Sequence, residues 1–261
     1  MKLIPLCSGS SGNSTYIETE DAHILIDAGL SCKRICESLA SVGVSAGALD
    51  AVFVTHEHSD HIKGIEILSK KYGIPVYANA ACWGKLTGLC PRIPPAMVRV
   101  FESDLEFYLG KTRILPFTTP HDSAHSVGYA VMSGGKKAVV CTDIGHVDKR
   151  MLSLLAGADI LLIEANHDVD MLMAGPYPYE LKKRILLGTG HLSNEDCGRA
   201  LVSLYATGVR NVILGHLSAE NNIPSLAVET VKCVLGMAGI TDMHIALAKR
   251  DEPTGIFEIR P

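Results

Sequence analysis

Residues 55 to 61 read Thr-His-Glu-His-Ser-Asp-His, which sets three histidines and an aspartate within seven positions, directly after the apolar run Ala51, Val52, Phe53, Val54. On an extended strand His56 and His58 would share one side, while Asp60 and His61 follow in the loop that enters the next helix. Imidazole nitrogen together with carboxylate oxygen is a donor mixture that zinc accepts. A cluster of this size can feed two adjacent ions, which a few Å apart clamp a substrate oxygen and ionise water between them. The competing reading is a polar turn with incidental histidines. It fares worse, because buried imidazoles and a carboxylate are costly to hold without metal or hydrogen-bond partners.

The elements around this segment must bring it to a strand end. Residues 2–8, 14–19 and 23–29 read as strand, turn, strand, turn, strand, followed by a helix from Ser31 to Val42. The run over residues 49–56 is a short buried strand, and residues 61–73 carry the apolar spacing of one amphipathic helix ending at Gly73. From Val98 to Cys141 a series of strands is expected, with Gly134-Gly135 as a hairpin turn. Alternation then returns: a strand over 158–166, a helix from Asn194 to Ala206, a strand over 211–216, a helix from Ser225 to Leu235 and two short closing strands. Two β-rich runs, each followed by β/α alternation, predict an α/β fold in which two mixed sheets pack face to face with helices outside, a four-layer αβ/βα sandwich. With 261 residues and a 47% hydrophobic fraction, the expectation is a single domain over 1–261, and Pro91, Pro94 and Pro95 mark a surface loop within it.

The formal charge of −4 gives no global pull towards nucleic acid, so a polyanionic substrate would have to be held by a local basic patch or by metal ions. Eight cysteines without a CxxC pair, mostly in apolar contexts, are expected to be reduced thiols in a cytoplasmic protein. Met1 to Ser14 is too glycine-rich for the apolar segment of a signal peptide, and no apolar run approaches a membrane span.

The stretch from His56 to His61 resembles the HxHxDH signature of metallo-β-lactamase-fold hydrolases, and the companions of that signature follow in order along nearly the whole chain. They are Asp27 closing an early strand, His121 after a later one, Asp143 closing another, and His216 near the last. By position, the resemblance implies His56, His58 and His121 on one divalent ion, Asp60, His61 and His216 on a second, Asp143 bridging both, and Asp27 orienting a ligand. Zinc and manganese both suit such a mixed set. His121 competes with His125 for its place; His121 is preferred at the strand end, leaving His125 on the rim. Asp143 could merely cap a turn, but it follows the apolar run Ala138 to Cys141, and α/β sites gather at the carboxyl ends of strands. His23, His146, His167 and His244 are left out of the metal count.

The metals alone do not identify a substrate, since thioester and lactone hydrolases share them. The segment from Gly190 to Ser218 is more telling: His191 stands just before a helix whose start carries Ser193 and, three residues on, Asp196, a capping-box-like pattern. Helix starts suit phosphate. This segment resembles the tails of ribonuclease Z and ribonuclease J, where a His before such a helix contacts the scissile phosphate and a Glu, here Glu164, orients it. The resemblance implies His191 as general acid to the leaving oxygen and places Asp60 in the catalytic set. Residues 7–14, 161–168, 190–197 and 215–222 together look like the bacterial YycJ/WalJ-type family, which implies metal-dependent phosphodiester hydrolysis with exonuclease action on DNA from the 5′ end. The departure from the larger relatives is that this chain has no room for the β-CASP insertion of ribonuclease J or the tRNA-gripping arm of ribonuclease Z. Substrate contacts are therefore expected from Ser11 and Asn13 in the glycine-rich first turn and from the basic run Lys182, Lys183, Arg184. The alternative function is a small-molecule thioester or lactone hydrolase of the glyoxalase II or lactonase kind.

Overall fold

In the computed structural model, which describes residues 1–259, fourteen strands form two seven-stranded sheets. The first contains β1 (Lys2–Cys7), β2 (Ser14–Glu18), β3 (His23–Ile26), β4 (Ala51–Phe53), β5 (Val76–Asn79) and β6 (Val98–Phe101). The second contains β7 (Phe107–Leu109), β8 (Thr112–Thr118), β9 (Val127–Ser133), β10 (Lys136–Cys141), β11 (Ile160–Glu164), β12 (Asn211–Gly215) and β13 (His244–Leu247), while β14 (Phe257–Glu258) returns to pair with β1. The sheets share one pattern. Antiparallel pairs run from β1 to β3 and from β7 to β10; parallel pairs run from β3 to β6 and from β10 to β13. Parallel strands all end on the same sheet edge, so the residues that follow β3, β4, β10, β11 and β12 are gathered there.

Parallel neighbours need crossovers, and helices supply them. These are α1 (Cys32–Ser41), α2 (Ser59–Ile62), α3 (Ile65–Tyr72), α4 (Ala80–Leu89), α5 (Lys149–Leu155), α6 (Val169–Ala174), α7 (Tyr179–Leu186), α8 (Asn194–Tyr205) and α9 (Pro224–Met237). Strand alternation sends Ile24, Ile26 and Phe53 inward against Tyr129, Val131 and Leu162 of the other sheet, and Leu25 and Val52 outward against Ile35, Leu39 and Leu68 of α1 and α3. The second sheet does the same with Val139 and Leu161 against Leu155, Leu201 and Val231 of α5, α8 and α9. Both faces of β3, β4, β10, β11 and β12 are covered, which is why those strands read as unbroken apolar runs, whereas the outer strands β6 and β13 keep exposed residues. The expected four-layer sandwich is the observed one.

Two local expectations are corrected. The single helix over residues 61–73 is two, α2 and α3, because the Gly64 amide donates to the Ala28 carbonyl at 2.7 Å instead of continuing the turn, and a Cβ at Gly64 would lie 2.4 Å from the Leu30 carbonyl oxygen. Strand β5 and helices α4 to α7 had no counterpart in the sequence reading. Helix α4 is made of small and mixed residues with little periodic contrast, and α5, α6 and α7 have only 7, 6 and 8 residues, too few to display a period. No described helix is long and apolar enough to cross a membrane.

Candidate metal centre

The strand ends do not simply point their side chains into the cleft; the backbone turns to do it. Four non-glycine residues among those described have positive φ, and three stand here: Asp27 at 61°, Asp143 at 56° and His216 at 54°. Each follows a strand by one or two residues, and the left-handed turn redirects a side chain that the pleat would have sent to a sheet face. Such backbone costs of order 1 kcal/mol or more per residue and persists only where the surroundings over-determine it. They do so here. The Asp27 amide donates to the Phe53 carbonyl at 2.8 Å, the His216 amide donates to Ser8 Oγ at 2.8 Å, and the His216 carbonyl accepts from Asn166 Nδ2 at 2.8 Å.

Three of the imidazoles, His56, His58 and His121, come together, as do Asp60, His61 and His216, with the donor atoms in each group within 4.8 Å of one another. The two groups meet at Asp143, whose Oδ2 lies 3.4 Å from His61 Nε2 and whose Oδ1 lies 3.8 Å from His121 Nε2 and 3.6 Å from His216 Nε2. Hydrogen bonds behind the rings decide which nitrogen faces the centre. His61 Nδ1 donates to Asp27 Oδ2 at 2.7 Å, His216 Nδ1 to Glu164 Oε1 at 2.7 Å, and His121 Nδ1 to the Gly190 carbonyl at 3.1 Å, so each Nε2 points inward. Thr55 completes the pattern. Its hydroxyl proton goes to Asp27 Oδ2 at 2.8 Å, so at 2.9 Å it accepts from His56 Nδ1 and leaves His56 Nε2 a bare lone pair.

This set fits divalent cations on the structure's own terms. His121 Nε2, His216 Nε2 and Asp143 Oδ2 are buried polar atoms without a hydrogen-bond partner, and all three face the centre, an expensive arrangement unless a cation receives their lone pairs. Burial, with His61, His121 and His58 nearby, holds His56 well below the usual imidazole range, and burial likewise lowers His121, so both are ready as neutral ligands. Burial opposes charge on His61 and His216 as well, but Asp143, with Asp27 beside His61 and with Asp60 and Glu164 beside His216, outweighs it. His61 is held well above the ordinary value and His216 is raised to about 10. At pH 7 these two rings therefore carry protons that a cation must displace. Metal uptake should release protons, and affinity should rise with pH across the neutral range, about tenfold per unit for each proton displaced, up to the His216 value of about 10. Calorimetric titration in buffers of different ionisation enthalpy measures the release; uptake without it would contradict this ordering of charges.

Glu164 sits at 0% side-chain exposure behind the centre and is fully occupied. Oε1 accepts from His191 Nδ1 at 2.8 Å as well as from His216, and Oε2 accepts from the Ile144 and Leu192 amides at 2.9 and 3.2 Å. Although it lies within ligand distance of the second group, four donors leave it no free lone pair of good direction, so it orients rings instead of holding metal. His191, by contrast, keeps 24% side-chain exposure, and with Nδ1 on Glu164 its Nε2 faces the cleft. Burial opposes its charged form, but the Glu164 charge and hydrogen bond outweigh it and raise the ring above its ordinary value, which favours the protonated form. The predicted helix start is present: Ser193 Oγ accepts from the Asp196 amide at 3.1 Å. The Asp196 carboxylate returns to that hydroxyl and not to the Ser193 amide, so the box is only half formed.

Of the two rival histidines, the structure brings His121 into the cluster and leaves His125 against Thr118 Oγ1 at 3.1 Å, outside it. The expected substrate contacts are distributed differently from the sequence reading. Asn13 is buried and its amide is committed to Gly9, to Asp60 Oδ2 at 3.3 Å and to His61 Nε2 at 3.1 Å, so it positions the donors and is not free for a phosphate. Lys182 donates to the Met173 carbonyl, Lys183 is exposed on α7, and Arg184 alone of the three lines the cleft, paired with Asp122. Ser11 is exposed at the opposite rim. Residues that the sequence reading missed are Thr55, Ser8, Asn166 and Glu57, the last accepting from the Ala124 amide at 2.8 Å and so tying the His56 loop to the His121 loop. Only Thr55 and Glu57, which adjoin the first histidine, had a local signal.

The first turn is strapped to Asp60 through the backbone: the Asn13 amide donates to the Asp60 carbonyl at 2.8 Å, and the Gly29 amide to the Asn13 carbonyl at 2.8 Å. A Cβ on Gly29 would lie 1.7 Å from the Asp60 carbonyl oxygen and 2.5 Å from the Asn13 nitrogen. Gly29→Ala should therefore cost about 1–3 kcal/mol of stability and push Asp60 off its site. A lower Tm together with reduced metal content on elemental analysis is the expected pair of results; an unchanged melt would show that the strap is slack.

A four-layer αβ/βα sandwich with a histidine-rich cation site at its strand ends defines a metallo-β-lactamase-fold, metal-dependent hydrolase. The family model described as the Beta-lactamase superfamily domain matches residues 22–217. Among curated proteins the chain is 40% identical over 259 residues to Exodeoxyribonuclease WalJ of Streptococcus pneumoniae, covering 97% of this chain and 96% of that one. It is 37% identical over 234 residues to Exodeoxyribonuclease YycJ of Bacillus anthracis, covering 90% and 89%. Among solved structures, zinc-bound PqqB from Methylobacterium extorquens superposes with a TM-score of 0.76 at 15% identity over 99% of this chain and all of that one, a likeness of fold. The chain thus belongs to the beta-lactamase superfamily and, within it, to the WalJ/YycJ family.

Proposed function

We propose that this chain is a dinuclear phosphodiesterase, with zinc or manganese as the two ions, that degrades DNA as an exonuclease from the 5′ end, in the cytoplasm. The observation that carries the proposal is Glu164, one carboxylate that orients both His216 of the donor cluster and the half-buried His191 beside it, whose protonated form it favours. A proton donor held beside the donor cluster suits a leaving alkoxide, and the WalJ and YycJ relatives, named as exodeoxyribonucleases, share nearly the whole chain. Eight free cysteines suit a reducing compartment.

We assign His56, His58 and His121 to one ion, Asp60, His61 and His216 to the other, and Asp143 to both, with Asp27 and Thr55 holding His61 and His56 in register. Bound divalent cations supply Lewis acidity towards the phosphate oxygens and towards water. The chain's own residues do the rest. The donor cluster fixes where the phosphate sits, and Glu164 accepts from His191 Nδ1 and so stabilises the imidazolium. His191 Nε2 would deliver its proton to O3′ as the P–O3′ bond breaks and the oxygen of water adds to phosphorus; the proton that this water gives up passes to solvent, from which His191 is reprotonated, and the products are a 3′-hydroxyl and a 5′-phosphate. End-labelled DNA and bis-p-nitrophenyl phosphate, run beside a panel of thioesters and lactones, test the assignment. Diester hydrolysis that EDTA abolishes and zinc or manganese restores is expected; turnover confined to thioesters or lactones would replace this reading with the small-molecule one.

A further inference from the structure

Helix α1 carries two cysteines one turn apart, Cys32 and Cys36, and the neighbouring α3 ends on Tyr72. The two sulfurs stand 4.0 Å apart, and the Tyr72 hydroxyl lies 3.4 Å from Cys36 Sγ. Cys32 is buried and Cys36 is half-buried. A surface cavity of about 440 Å³ opens on both, with Ile67, Lys71 and Tyr72 in its wall. None of these side chains belongs to the donor cluster or enters the cleavage proposed above, so what they do is independent of the phosphodiesterase reading.

We propose that Cys32 and Cys36 form a dithiolate site for a monovalent, thiolate-seeking cation of the cuprous kind, with the Tyr72 hydroxyl as third donor, clamping α1 to α3. Geometry separates this role from that of a disulfide. Side chains one helical turn apart keep their Cβ atoms about 5–6 Å apart, whereas a disulfide needs about 3.5–4.5 Å, so closing one would unwind the start of α1. A shared ion spans the gap without that cost. Two sulfurs each about 2.3 Å from one centre stand about 3.8–4.0 Å apart at tetrahedral to trigonal angles, and the observed separation falls there. Thiolate sulfur suits cuprous ion, and both the number and the charge of the donors favour it over zinc. Zinc takes four ligands in a closed site, but this pocket offers two sulfurs and a phenol, while the exposed Glu37 carboxylate is paired with Lys33 at 3.8 Å. Two thiolates around a monovalent ion carry one net negative charge, which Lys71, in the same wall and acting on Cys32 through its charge, balances. On binding, two S–H bonds give way to two S–Cu bonds and both protons pass to solvent. Burial and then the neighbouring Cys36 push the Cys32 thiol up to about 11, so affinity rises with pH through the neutral range.

The test titrates the protein, loaded with zinc or manganese at its histidine cluster, with cuprous ion under anaerobic conditions against a chromogenic cuprous chelator. One equivalent is expected to bind, with thiolate-to-copper absorption in the ultraviolet, a raised melting temperature, and the metal of the histidine cluster retained on elemental analysis. Cys32→Ser and Cys36→Ser should each weaken binding about 100-fold or more, above the effect of losing an outer-shell partner, and Tyr72→Phe about tenfold. Cys233→Ser, at an exposed thiol elsewhere, should leave it unchanged. Cys36 is the less buried of the pair, so Cys36→Ser carries the test if Cys32→Ser folds poorly. Cuprous ion bound as tightly by the serine variants as by the wild type, or wholly removed from the wild type by the chelator, would overturn the site. Zinc held at the pair as tightly as cuprous ion would overturn the choice of a monovalent cation.

Discussion

Asp143→Asn is expected to lower phosphodiester turnover by about 10³-fold or more, and to strip metal from both donor groups at once. Asparagine is the informative replacement because residue 143 sits at φ 56°, a conformation that Asn adopts with little strain and Ala does not, so the backbone survives and only the charge is lost. Asp143 is buried, its carboxyl held below the ordinary range by His216 and His61 against the opposing effect of burial, and its two oxygens face both histidine groups. A lost charge there removes several kcal/mol of cation binding and of transition-state neutralisation, and about 1.4 kcal/mol corresponds to each factor of ten. Elemental analysis and a diester assay on the same preparation check it. Retention of full metal content would show that the two groups bind independently of Asp143.

His191→Ala should have the opposite signature: turnover on DNA down by about 10²–10⁴-fold, as for loss of a general acid, with metal content retained. The ring contacts Glu164 and the cleft, and His216 keeps its own 2.7 Å bond to Glu164 without it. The deficit should shrink on bis-p-nitrophenyl phosphate, whose nitrophenolate leaves without a proton. A variant that hydrolysed DNA at the full rate, or that lost the same factor on both substrates, would remove His191 from the proton-donor role.

Much of this was legible in the chain before folding. The segment from His56 to His61 declares its donors because they are neighbours in sequence, and the apolar runs before Asp27, Asp143 and His216 mark strand ends because β3, β10 and β12 are covered on both faces. Glycine at 64 hid its effect: a break between α2 and α3 depends on the Ala28 carbonyl, which belongs to another strand end. Asn13 misled for a similar reason. A glycine-rich turn with an amide looks like a phosphate cradle until Asp60 and His61 arrive to occupy that amide.

By itself, then, the sequence determined which residue types were available for cation chemistry and which segments would end a strand with one of them, because both are local properties of composition and period. Only the tertiary structure decided that His121 and not His125 joins the centre, that one carboxylate, Glu164, serves both His191 and His216, and that residues of α7 line one side of the cleft. Those outcomes depend on the order of strands in two sheets and on left-handed turns at their ends, which set contacts between residues as far apart as Ser8 and His216. Spacing along the chain carries no record of such approaches.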